Sequence, residues 1–216
     1  LSSIIIITSI ETVSKILCIN ATYFPDIVDD KISTENFLHA SRGVVVIVEK
    51  FGKLFAPVKH DMEGNIEKLN NKYSIDKEKH KTLQDMILLE KEKGETIIAT
   101  DALMWLKRSL YMILLFFEKL IEDHNAGKAT DDLVAFLKEA YKISLEPYHG
   151  WMLQQLFGLL SRTVPSRKQL LQTIVDGKDF TDEIILRDME IYTKNLRLNI
   201  ENLQIFYKKY ELEKNL

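Results

Sequence analysis

The chain has 216 residues, 46% hydrophobic and 28% charged, with a formal net charge of −3 at pH 7. That length and apolar fraction support one domain with a sizeable core, expected over 1–216, and the slight negative charge excludes nucleic-acid binding by bulk electrostatics. The single cysteine, Cys18, excludes an internal disulfide, fits a reducing compartment and is expected as a small buried apolar side chain.

The chain opens with LSSIIIITSIETVSKIL. Its isoleucine run, Ile4 to Ile7, falls far short of the roughly 20 apolar residues that span a bilayer. It has neither the basic start nor the small-residue cleavage site of a signal peptide. A soluble, cytoplasmic protein is expected. Glycines and prolines are few, eight and four, and hairpin dipeptides are nearly absent. Asp176-Gly177 follows a helical pattern, where Gly acts as a stop.

Helical periodicity predicts helices over 8–19, 33–55, 58–73, 77–93, 97–124, 130–146, 148–163, 167–176 and 181–210. Ser33 or Thr34 caps the second of these, and TDEI from Thr181 has the capping-box form. Pro147 and Pro165 mark a kink and a break. The β-branched run Val44 to Val48 lacks a strand partner and reads as buried helix. The segment 97–124 is apolar almost all round from Leu110 to Phe117, the pattern of a central helix packed on both sides. The fold class is all-α, with helices in two layers around that element.

Within 58–73, Asp61, Asn65 and Lys68 follow one another at i, i+4 and i+7, an arc of roughly 60°. Met62, Ile66, Leu69 and Tyr73 form an apolar arc beside it. An acid that accepts, an amine that donates and an amide that does both suit a hydroxyl-rich ligand better than a bare anion. The same spacing is also that of an ordinary solvated face. Trp105 offers an indole face for stacking on a sugar ring, or a core side chain. Arg108, at i+3, shares its side, whereas Lys107 points away. His149, in PYHGW, can donate to a ligand carbonyl or bond locally. No histidine has a partner at metal spacing, and no phosphate-binding loop, dinucleotide fingerprint or nucleophile elbow occurs. Neither an enzyme nor a cofactor is therefore expected.

Four ordered blocks, FAPVKHDMEGNIEKLNNKY, TLQDMILLEK, ATDALMWLKRSL and YHGWMLQQLFGLLSRTVPSRKQLL, resemble the glycolipid transfer protein family over roughly residues 33 to 175. The likeness is to the branch with an Asp, Asn, Lys and Trp recognition centre. It implies a two-layer all-α sandwich that binds one glycosphingolipid and carries it between membranes, without a cofactor, as a monomer in transient contact with the bilayer. By that resemblance, Asp61 and Asn65 hydrogen-bond the first sugar, with Asp61 also accepting from the ceramide amide. Lys68 hydrogen-bonds the sugar, Trp105 lies under its ring, and His149 holds the ceramide carbonyl. The hydrocarbon chains enter a tunnel lined by residues such as Val48, Phe51, Phe55, Val58, Leu145 and Phe157. Trp151 and nearby basic residues are candidates for membrane contact, with a buried Trp151 the equal alternative. A carrier of ceramide 1-phosphate or another sphingolipid is the alternative on the same fold. The family's C-terminal tyrosine has no assigned counterpart, since Tyr210 lies several residues before the end of YKKYELEKNL.

Overall fold

In the computed structural model, which describes residues 22–94 and 97–213, eight α-helices follow one another. They are α1 (Thr34–Glu49), α2 (Ala56–Ile75), α3 (Leu83–Lys93), α4 (Ile98–Asn125), α5 (Val134–Ser144), α6 (Trp151–Leu160), α7 (Arg167–Ile174) and α8 (Asp182–Lys209). Extended backbone pairs, among the described residues, only at two isolated bridges, Val28 with Lys31 and Ser33 with Thr82. The run Val44 to Val48 is helix, with Val44, Val45, Ile47 and Val48 buried. The predicted helix 8–19 and Cys18 lie outside the described residues.

The apolar helix α4 is the hub. It packs against α2, α5, α8 and α3, while α1 lies on α2. Leu103, Leu106, Leu110, Ile113, Leu114, Phe116 and Phe117 are all buried in one core that extends to both sides of it. A helix apolar around its circumference loses most exposed area when neighbours cover every face, at about 25 cal/mol per Å². α8 is tied to it by a two-pronged contact in which Arg197 Nε and Nη2 donate to the two carboxylate oxygens of Glu118. The buried Tyr207 hydroxyl adds a bond of 2.7 Å to the Thr100 carbonyl.

Several boundaries differ from the periodicity: the helix expected over 130–146 runs Val134–Ser144, and that expected to 163 ends at Leu160. Three further differences have a clear local reason. The predicted helix 33–55 stops at Glu49, because Gly52 adopts φ +112, a conformation closed to side-chain-bearing residues. A short 3₁₀ turn, Lys53–Phe55, then redirects the chain into α2, with Pro57 in its first turn. The helix expected from 77 begins at Leu83, where the Thr82 hydroxyl accepts from the Asp85 N–H at 3.2 Å. Pro147 sits in a 3₁₀ turn, Glu146–Tyr148, so α6 starts only at Trp151. The capping box expected at Thr181 is not formed there. It is found instead at Ser166 with Gln169, at the start of α7.

The N-terminus of α4 has no capping side chain of its own. Buried Glu90 of α3 supplies one from outside. Its carboxylate accepts from the N–H of Ala99 at 3.0 Å and from the N–H and hydroxyl of Thr100, both at 2.8 Å. An anion at a helix N-terminus meets both the orphan donors and the positive end of the dipole. This contact anchors the first turn of α4, the helix that carries Trp105.

Candidate functional site

A cavity of about 530 Å³ opens between α2, α4, the turn before α6, and α6 itself. All five polar candidates, Asp61, Asn65, Lys68, Trp105 and His149, line it. Two helices and a turn therefore converge on one point from positions far apart in sequence. The stripe on α2 is not a uniformly solvated face. Asn65 is 4% exposed, between the open Asp61 and Lys68. The Asn65 amide donates to Asp61 Oδ2 at 3.4 Å, which orients both groups toward the cavity.

From the polar end the wall becomes a chain of rings. Trp105 stacks on His149 at 5.9 Å between ring centres, and His149 lies 5.6 Å from Tyr141. Tyr141 then stacks on Phe157 at 3.7 Å. The far end is hydrocarbon, formed by Met112, Leu145, Leu156 and Leu160. The site thus grades from hydrogen-bonding groups to apolar surface along its length.

Partial loss of water on the side facing the cavity raises the Asp61 carboxyl from its ordinary value, although the residue keeps contact with solvent, against the pull of His149, Lys68 and the Asn65 amide. Burial also lowers the His149 imidazole, assisted by Arg108 and opposed by Asp61. The Tyr141 phenol is pushed up to about 12 by burial and by Glu146. A phenol that keeps its proton lies 2.9 Å from His149 Nδ1. Where it donates to Nδ1, the ring proton sits on Nε2, leaving that edge as a donor.

Of the six tunnel candidates, Val58, Leu145 and Phe157 line this cavity. Val48, Phe51 and Phe55 do not line it and are buried in the hydrophobic core. Phe51 sits edge-on to Phe55 at 5.4 Å and to Phe116 at 5.7 Å. Sequence reasoning missed Tyr141, Tyr148 and Ser109, which also line the cavity. Tyr141 reaches His149 across the Pro147 turn, where no helical periodicity applies, so no local signal could have found it. Arg108 does share the side of Trp105, its guanidinium carbon 4.9 Å from the indole centroid and 3.4 Å from the Tyr148 ring. Lys107 points away, toward the Tyr207 ring. Among the described residues, no group of three or more His, Cys, Asp or Glu could hold a metal ion.

The sequence pattern of the glycolipid transfer protein (GLTP) family matches residues 32–176. Pleckstrin homology domain-containing family A member 8 from Mus musculus is 36% identical over 194 residues, 86% of this chain and 36% of that protein. The Homo sapiens protein of the same name is 34% identical over the same coverage, so the chain spans about a third of these relatives' length. A solved structure concerned with how FAPP2 selects simple glycosphingolipids using the GLTP-fold superposes with a TM-score of 0.80 at 30% identity. It covers 91% of this chain and 95% of its own. The mouse ceramide-1-phosphate transfer protein, in its apo form, has a TM-score of 0.78 at 18% identity, over 86% and 92% of the two chains, a likeness of fold. By sequence pattern, relatives and architecture, the chain belongs to the glycolipid transfer protein family.

Proposed function

We propose that this chain binds one glycosphingolipid and carries it between membranes, with no chemical turnover. The observation that carries the reading is the charge balance of the cavity. Its wall holds one carboxylate, Asp61, and one ammonium, Lys68, beside a buried amide and an indole face. A neutral, hydroxyl-rich ring would pair with all three polar groups and lie against Trp105. Among the residues lining this cavity a phosphate would find one cation, Lys68, to meet it and Asp61 to repel it. Asp61 and Asn65 would take the sugar hydroxyls, Asp61 also the ceramide N–H, and Lys68 a further hydroxyl. His149 Nε2–H would donate to the amide carbonyl, held in that tautomer by Tyr141.

The hydrocarbon would start at Val58, Leu145 and Phe157 and part the packed rings of Phe51 and Phe55, beside Val48. Covering lipid chains with apolar side chains is what makes passage through water possible. The apolar groups of α6 supply the other requirement, contact with a bilayer. Trp151 and Met152 are 73% and 76% exposed, and Leu153, Leu156 and Leu159 are exposed along the same helix. Exposed apolar groups at the mouth of a lipid cavity fit a transient docking surface. Among the described residues no helix is long and apolar enough to cross a membrane. A monomer working in the cytoplasm completes the proposal.

Lys68 on the cavity wall, with Arg108 stacked on Trp105, favours the second reading, ceramide 1-phosphate, and the fold is shared with the mouse protein named for transferring that lipid. Vesicle-to-vesicle transfer of labelled glucosylceramide, galactosylceramide and ceramide 1-phosphate decides between them. Both sugar lipids are expected to move, and Trp105→Ala and Asp61→Val are each expected to reduce their transfer to background with the helical circular dichroism unchanged. Wild-type rates from Asp61→Val would sink the site, and exclusive transfer of ceramide 1-phosphate would establish the second reading.

A further inference from the structure

Beyond the stack of Trp105, Arg108 and Tyr148 lies a second cavity, of about 620 Å³, between α4, the end of α5 and the C-terminal end of α8. Its wall includes Lys107, Arg108, Tyr148, Lys208, Glu211 and Glu213, and Tyr148 is common to both cavities. Arg108 is 4% exposed, yet its Nε and Nη1 have no hydrogen-bond acceptor. The rings of Trp105 and Tyr148 engage the faces of the guanidinium. Its N–H groups lie in the plane of the group, so stacking leaves them unsatisfied. A buried cation with free donors is costly unless an acceptor reaches it.

Beside it, Lys107 is equally buried, 4.6 Å from the Tyr207 ring centroid and ion-paired with Glu213. Burial holds the Lys107 ammonium below its ordinary range in spite of Glu213. The wall carries three cations against two carboxylates, and one of those two is Glu213, a side chain of the segment after α8. With Glu213 swung away, three cations face Glu211 alone.

We propose that this cavity is an oxyanion-binding site. The Lys107 ammonium and the in-plane N–H groups of Arg108 take a sulfate, phosphate or carboxylate group, and Glu213 occupies the Lys107 end when that group is absent. The fork of a guanidinium beside a point-charge ammonium matches the oxygens of such a group. The oxyanion arrives in one of two ways. As a substituent on the head group of the bound lipid, passing over Tyr148, it rests on the function proposed above. As a free ion it does not.

The test begins with inorganic sulfate titrated into the lipid-free full chain, followed by NMR at the Arg108 Nε–H. Saturable binding that shifts this signal is expected. Arg108→Gln should weaken it about tenfold or more, the worth of a hydrogen bond to a charged group. Glu213→Gln, at a part-exposed position that leaves the core untouched, should tighten it by removing the internal competitor. An Arg108 signal that never moves, or one affinity shared by wild type and Glu213→Gln, overturns the proposal even if Arg108→Gln fails to fold. A second arm compares transfer of 3-O-sulfated and unsubstituted galactosylceramide. A ratio that rises in Glu213→Gln assigns the site to a head-group substituent, and an unchanged ratio with sulfate binding intact assigns it to a free ion. Sulfate binding as expected with no transfer of any lipid would remove the proposed function and leave the oxyanion site standing.

Discussion

At Asp61 and His149, burial acts on two facing groups in opposite senses on the charge scale, toward neutrality in both. The Asp61 carboxyl is raised and the His149 imidazole lowered, each chiefly by loss of water. Each penalises its own charged form, which leaves the polar end of the cavity suited to uncharged partners. The consequence for His149 is a pH dependence with a definite sign. Its folded-state value lies below the ordinary 6.5, so near that pH the unfolded chain binds more protons and stability rises with pH. The His149 contribution is complete above about pH 7 and is lost as pH falls through the folded value. Urea denaturation at pH 7.5 and pH 5 should therefore show wild type losing stability relative to His149→Gln. Equal losses in both proteins would remove the depressed imidazole from the account. Asp61 acts the other way at lower pH, because a raised carboxyl favours the folded state as it protonates.

The helices show how far a local pattern reaches. Ser33 capping, the buried helix through Val44 to Val48 and the central position of α4 all follow from periodicity and cap chemistry. The end of α1 does not, because Val48 to Phe55 keeps an apolar helical pattern straight through Gly52. What ends the helix is the backbone conformation that packing α2 against α1 demands at that glycine. The start of α4 is likewise set from outside, by Glu90. Replacing Glu90 with Ala leaves two backbone donors and a hydroxyl unmet in a buried place. A loss of about 2–4 kcal/mol in urea denaturation is expected, more than an ordinary cap is worth. Under the proposed function sugar-lipid transfer should fall with it, since the same contact anchors the helix that carries Trp105. Stability within a few tenths of a kcal/mol of wild type would show that water or another group replaces the carboxylate.

For the whole molecule, the cavity-lining and water-facing surfaces are joined at α6. Leu153 and Leu156 line the cavity, and Trp151 and Met152 on the same helix are exposed to solvent. Under the proposed function a lipid leaving the cavity would cross this helix, so bilayer contact and lipid passage would belong to one element. Trp151 fluorescence should shift to the blue on adding neutral phosphatidylcholine vesicles. Trp151→Ala with Met152→Ala should weaken vesicle association, slowing transfer at low vesicle concentration while leaving affinity for a micellar or short-chain glycolipid intact. Transfer unaffected by the double substitution would place the docking surface elsewhere.

The all-α class, the central helix and the family were legible in the amino-acid order, since apolar period and ordered motif blocks are local properties of a chain. The pairing of Asp61 with Asn65 was also legible, as four residues on a helix place two side chains together. Whether that stripe faced water or a cavity was not, because one helix cannot know what lies opposite. Only packing of α4 and the Pro147 turn against α2 buried Asn65 and brought Trp105 and His149 to it. The Tyr141 contact to His149 and the stacking of Tyr148 on Arg108 were likewise decided in three dimensions. They depend on how a turn folds back across two helices, and a linear pattern carries no trace of that distance.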